Sequence, residues 1–101
     1  MIILELSDPE NPTEVGRWEE TYIHDIFVKN DTAYACDIYN GSLFIIDVSD
    51  KTNPTTMVEH NYSNYGCHAV WVTDDSKYAV TGDEESGGYV YIFDIQDFNN
   101  I

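Results

Sequence analysis

The chain has 101 residues, and its four basic side chains (Arg17, Lys29, Lys51, Lys77) face 19 acidic ones, a formal charge of −15. Phosphate backbones need clustered Lys and Arg to release their counterions, so nucleic acid is excluded as a partner, and an anionic membrane surface is disfavoured by the same sign. No run of about 18 apolar residues occurs, so no membrane insertion is expected. The acidity favours solubility and attracts cations. An aromatic content of 14 %, dominated by Tyr, argues for a folded β protein and against a disordered acidic tail.

Met1-Ile2-Ile3-Leu4 lacks the basic flank and small-residue cleavage site of a signal peptide and reads as the stub of a strand. Ile23–Val28 is an apolar, β-rich run that ends at the polar turn Lys29-Asn30-Asp31. Thr32–Ile38 follows as a second strand and stops at Asn40-Gly41, residues that tolerate the positive φ of tight turns. Leu43–Val48 is almost continuously apolar, as a strand buried on both faces would be. After the turn Ser49–Pro54, Thr55–Tyr62 mixes polar and apolar residues like an exposed edge. The pattern restarts at Cys67–Thr73, Lys77–Thr81 and Tyr89–Ile95. No segment has a sustained helical period, so the fold class is all-β.

These strands belong to a repeat. Ile46-Asp47-Val48-Ser49-Asp50 answers Leu4-Glu5-Leu6-Ser7-Asp8, and Asn53-Pro54 answers Asn11-Pro12, both at an offset of 42. His68-Ala69-Val70-Trp71-Val72 answers His24-Asp25-Ile26-Phe27-Val28 at 44, and Tyr78-Ala79 is aligned with Tyr34-Ala35 at the same offset. Phe93-Asp94-Ile95-Gln96-Asp97 follows Ile46 by 47. Several short strands in a period near forty indicate a β-propeller blade. The expected architecture is a propeller fragment of about two consecutive four-stranded antiparallel blades. Residues 1–22 would end one blade, 23–62 would form a complete one, and 63–101 most of the next. Closing a ring takes roughly 4–8 blades, so the remaining blades of its own propeller are expected partners, and the protein's start is expected upstream of Met1.

Aspartate, aliphatic, Ser-Asp, then Asn-Pro, with a His-led apolar strand downstream, resembles the LVIVD repeat of bacterial propeller proteins. More narrowly, Cys67 through Tyr78, followed by Thr81-Gly82-Asp83-Glu84, is similar to the choice-of-anchor B family. That resemblance implies a secreted or cell-surface propeller module with no catalytic residues to carry over. By the same comparison the His-led strand is the innermost of each blade. His24 and His68 would then lie at one mouth of a central channel.

His24 and His68, in equivalent places, are the foremost site candidates, because neutral imidazole ligates transition metals. Asp25, Asp37, Asp83 and Glu84 offer oxygen ligands nearby. The structural alternative, which we adopt as the expectation, has each imidazole hydrogen-bonded within its own blade, with no cofactor; zinc is the metal alternative. Asp83-Glu84-Glu85-Ser86-Gly87-Gly88 has the acidity to hold calcium but not the ligand order of an EF-hand loop. Asp47, Asp50, Asp94 and Asp97 are expected to cap their own turns. Cys36 and Cys67, aligned with Val80 and Ile23, read as buried small hydrophobes, and sequence leaves their pairing open. Phe27 with Trp71, and Tyr34 with Tyr78, read as contacts between blades, whereas Trp18 is a candidate aromatic platform.

Three functions follow. The favoured one is a non-enzymatic extracellular or cell-surface module that binds a protein or carbohydrate. The alternatives are a metal-dependent, hydrolase-like enzyme with its site at the channel mouth, and a calcium-stabilised structural adhesin segment.

Overall fold

In the computed structural model, which describes all of residues 1–101, the chain is all-β: nine strands and no helix, hence no helix able to cross a membrane. The strands are β1 (Ile2–Glu5), β2 (Thr13–Arg17), β3 (Asp25–Lys29), β4 (Thr32–Asp37), β5 (Ser42–Asp47), β6 (Thr55–Asn61), β7 (Cys67–Val72), β8 (Tyr78–Asp83) and β9 (Val90–Asp94). They form three antiparallel sheets, β1-β2, β3-β4-β5-β6 and β7-β8-β9, each a meander in chain order. This is the arrangement of successive propeller-like blades. The sequence reading had no separate strand at β2.

The two central strands of the four-stranded sheet are buried on both faces, and their pairing shows why. Side chains alternate across a strand. Ala33 and Ala35 of β4 therefore share a face with their cross-strand partners Ile46 and Phe44, while Tyr34 and Cys36 share the other with Ile45 and Leu43. The first set packs with Trp18, Val48, Met1, Ile3 and Ile23. The second packs with Cys67, Val70, Val72, Ala79 and Ile95 of the three-stranded sheet. Each fully buried Leu, Ile or Phe contributes roughly 1.5–3 kcal/mol, so both seams are substantial.

The repeat extends to irregularities. Between Ile3 and Leu4 the β1-β2 register slips, with Ile3 opposite Gly16 and Leu4 opposite Glu14. Between Ile45 and Ile46 the β5-β6 register slips in the same way, opposite Val58 and Thr56, each position displaced by 42. One alignment is corrected. Val28 pairs with Ala33, and its counterpart Val72 pairs with Ala79, so β3 maps on β7 at 44 but β4 maps on β8 at 46. The β7-β8 turn is two residues longer than the β3-β4 turn. Tyr34 therefore corresponds to Val80, not Tyr78, and Cys36 to Gly82, not Val80. Accordingly Tyr34 is buried and Tyr78 is exposed.

Turn chemistry follows the sequence. Asp47 and Asp50 accept the backbone N–H groups of Ser49 (2.8 Å) and Thr52 (2.9 Å). Asp94 and Asp97 do the same for Gln96 and Asn99, both at 3.0 Å, and Glu5 and Asp8 for Ser7 (2.7 Å) and Glu10 (3.2 Å). Bonds from the side chain and backbone of Ser49 and of Thr52 hold the Asp47 and Asp50 carboxyls below the usual carboxylate range. The β4-β5 turn is a four-residue loop in which only Gly41 has positive φ, 63°. A Cβ there would collide with Ser63 Oγ and its backbone, so glycine is required twice over.

Two apolar faces remain bare. Ile26 and Val28 of β3 are exposed, since β1 and β2 cover only part of that side, and Trp71, Val90 and Ile92 are exposed on the far side of the last sheet. Patches of this kind drive association. The 101-residue chain is expected to self-associate in sedimentation velocity, and Val28→Glu with Ile92→Glu, one on each face, to shift it toward monomer. A sharp monomer peak for the unmodified chain at all concentrations would contradict this.

Candidate functional site

The seam between the four- and three-stranded sheets brings the repeated histidines together. His24 immediately precedes β3, and its backbone N–H donates to the Cys36 carbonyl at 2.8 Å. His68 sits at the bulge in β7, where Cys67 pairs with Asp83 and Ala69 with Gly82. A bulge leaves its extra residue out of the ladder and re-aims the side chain. The rings meet across the seam with centroids 4.5 Å apart and planes inclined at 40°. Glu84 follows β8, its N–H bonded to the Gly66 carbonyl at 2.9 Å, and its Oε2 lies 3.3 Å from His68 Nε2. One ligand atom from each of His24, His68 and Glu84 falls within 4.8 Å of the others; no other three His, Cys, Asp or Glu side chains converge in this way.

The other carboxylates named from sequence are engaged elsewhere. Asp25 Oδ2 accepts the Val70 N–H at 3.0 Å, capping a free donor on the edge of β7. Asp83 accepts the Tyr62 hydroxyl at 3.0 Å. Lys29 adds a third tie, donating to the carbonyls of Thr73 (2.8 Å) and Asp74 (2.6 Å). Asp37, fully buried, accepts the N–H groups of Tyr39 (3.0 Å) and Asn40 (3.1 Å), the Asn40 amide (2.7 Å) and the Thr21 hydroxyl (2.6 Å). Burial pushes its carboxyl up, but these bonds outweigh it and hold it below the usual range. Trp18 is no platform: it is buried edge-on against Phe44 at 5.2 Å, its Nε1 donating to Thr56 Oγ1 at 2.9 Å. Cys36 and Cys67 are free and buried side by side in the seam. The hydrogen bond shared with Cys67, and then burial, pushes the Cys36 thiol up, so it stays protonated.

A second cluster escaped the sequence reading. Tyr65, Tyr39 and Tyr22 run in series to the histidines, with centroids 6.4 Å apart for Tyr65–Tyr39, 5.3 Å for Tyr39–Tyr22 and 6.4 Å for Tyr22–His24. They are 41 %, 62 % and 54 % exposed, in the order Tyr65, Tyr39, Tyr22. Tyr22 and Tyr65 stand 43 residues apart in equivalent connections, before β3 and before β7, and Tyr39, from the β4-β5 turn, stands between their rings.

The His-led strand, the central strands buried on both faces and the acid-capped turn together describe one repeat unit. Residues 22–61 match the LVIVD repeat. Neither the curated proteins nor the solved structures yield a match to the chain. Tyr22 and His24 thus open the matched LVIVD unit, whereas Tyr65, His68 and Glu84 lie beyond it.

Two outcomes are expected. A carboxyl with a depressed folded value stabilises the fold above its unfolded pKa, about 3.9, and loses that stabilisation as pH falls through the folded value. Asp37→Ala should cost about 1–3 kcal/mol at neutral pH, the effect of orphaning buried partners. In denaturant melts the gap between unmodified chain and variant should close progressively below about pH 4; a gap independent of pH would contradict it. Cys36 and Cys67 should both resist maleimide in the folded chain and react once it is denatured, as mass spectrometry would record.

Proposed function

We propose that this chain supplies consecutive blades of a non-enzymatic, extracellular or cell-surface β-propeller module of the choice-of-anchor B kind, which binds a protein or carbohydrate through the tyrosine-rich end of the blade seam. The observation that carries the reading is the exposed series Tyr65–Tyr39–Tyr22, continuous with His24 and His68. Tyr offers a rigid apolar face with a polar tip at small conformational cost, which suits stacking on a sugar ring or a peptide. Three such rings left open to solvent contrast with Tyr34, which is buried in the core.

The surroundings narrow the ligand. With a formal charge of −15, a neutral or cationic ligand is favoured over an anionic one. The extracellular assignment rests on the likeness of residues 67–78 and 81–84 to choice-of-anchor B proteins, and the bare faces at Val28 and Ile92 are where further blades of the ring would pack.

Glycan and peptide arrays probed with the chain and with a Tyr22→Ser, Tyr39→Ser, Tyr65→Ser variant test this. At about 0.5–1.5 kcal/mol for each aromatic contact, the variant should lose roughly tenfold or more of the signal on every bound feature. Equal binding by the variant, or no bound feature for the unmodified chain, would defeat the reading.

A further inference from the structure

We propose that His24, His68 and Glu84 form a site for one divalent transition-metal ion of the zinc class, which bridges the two sheets at their seam. The inference is independent of the tyrosine-mediated binding above. Three observations carry it. The ligand atoms already converge within 4.8 Å, drawn from three separate segments of the chain. His68 Nε2 and Glu84 Oε2 are 3.3 Å apart, close to the edge of about 3.4 Å for a tetrahedron with bonds of about 2.1 Å. His68 reaches this point because it occupies the β7 bulge, while the backbone N–H of His24 is tied to β4.

The donor set decides the kind of ion. Two imidazole nitrogens and one carboxylate are a common zinc complement, and nitrogen ligands favour late first-row ions over calcium or magnesium. Calcium would need six to eight oxygens, and neighbouring Asp25 and Asp83 are engaged with Val70 and Tyr62. The remaining adjustment is small: the exposed His24 ring needs to close by at most roughly 1.4 Å. Three protein ligands leave a fourth position open, so water or a ligand oxygen would complete the shell.

His24 adjoins the four-stranded sheet at the start of β3, whereas His68 lies in the three-stranded sheet and Glu84 follows directly from its strand β8. The ion would therefore act as a cross-link between sheets, and its binding would raise the melting temperature by mass action on the folded state.

The test uses the full 101-residue chain, stripped with a chelator and titrated with zinc chloride by calorimetry and with cobalt(II) by visible absorption. One saturable ion per chain, a tetrahedral cobalt spectrum and a higher melting temperature with zinc are expected. His24→Ala, His68→Ala and Glu84→Gln should each weaken binding at least ~10-fold, on the scale of disturbed zinc-ligand sets, and the histidine double variant should abolish it. Circular dichroism confirms that each variant is folded, and His24→Gln provides a gentler replacement at an exposed position. Absent saturable uptake by the unmodified chain, uptake undiminished in the folded double variant, or calcium competing as well as zinc would each overturn the proposal.

Discussion

The central strands β4 and β5 have no wet face, and the rest of the structure depends on that constraint. Leu43 and Ile45 look one way and Phe44 and Ile46 the other, so both neighbours must be in place for β5 to be dry. A sheet with one solvated face could slide against its cover. One packed on both sides holds each neighbour in register through interdigitated side chains. Trp18 on Phe44 at one seam, and His60 and Tyr62 on Phe93 at the other, are parallel solutions to the same packing problem.

The functional candidates stand on this rigid seam. Apolar packing brings β3 and β4 against β7, and three polar ties, from Asp25, Lys29 and Asp83, then fix the relative height of the sheets. The bulge at His68 acts on that fixed frame. Without the tight seam, the two imidazoles would belong to independently moving sheets and could not stay within contact. The polar convergence is a consequence of apolar packing, with one ladder irregularity directing the result.

Much of this was legible in the residues. Strand positions and the all-β class followed from alternation and turn chemistry, and the 44-residue offset of His24 and His68 indicated that two imidazoles share an end of the sheets. The local reading failed where a turn changed length. Two extra residues between β7 and β8 moved Tyr78 out of register with Tyr34, which identity of the aligned letters concealed. Asp25 and Asp83 looked like ligands because a free backbone N–H on β7 and a phenol from the preceding sheet cannot be seen in sequence. Trp18 read as a candidate platform because its partner, Phe44, is 26 residues away. The Tyr22, Tyr39 and Tyr65 series was only half concealed: Tyr22 and Tyr65 stand 43 residues apart in equivalent connections, whereas Tyr39 comes from another turn and joins them only in the fold.

The paired acids of each turn bear on how such an array can grow. Glu5 and Asp8, Asp47 and Asp50, and Asp94 and Asp97 each hold an N–H two residues on. These carboxylates are part of the repeat's turn, so duplicating a repeat duplicates its negative charge together with its strands. Negative charge then accumulates in proportion to the number of blades, and neutralising it by substitution would dismantle turns. A chain lengthened by further repeats would therefore gain mutual repulsion between molecules along with its strands, a built-in protection against sheets of neighbouring molecules adding edge to edge.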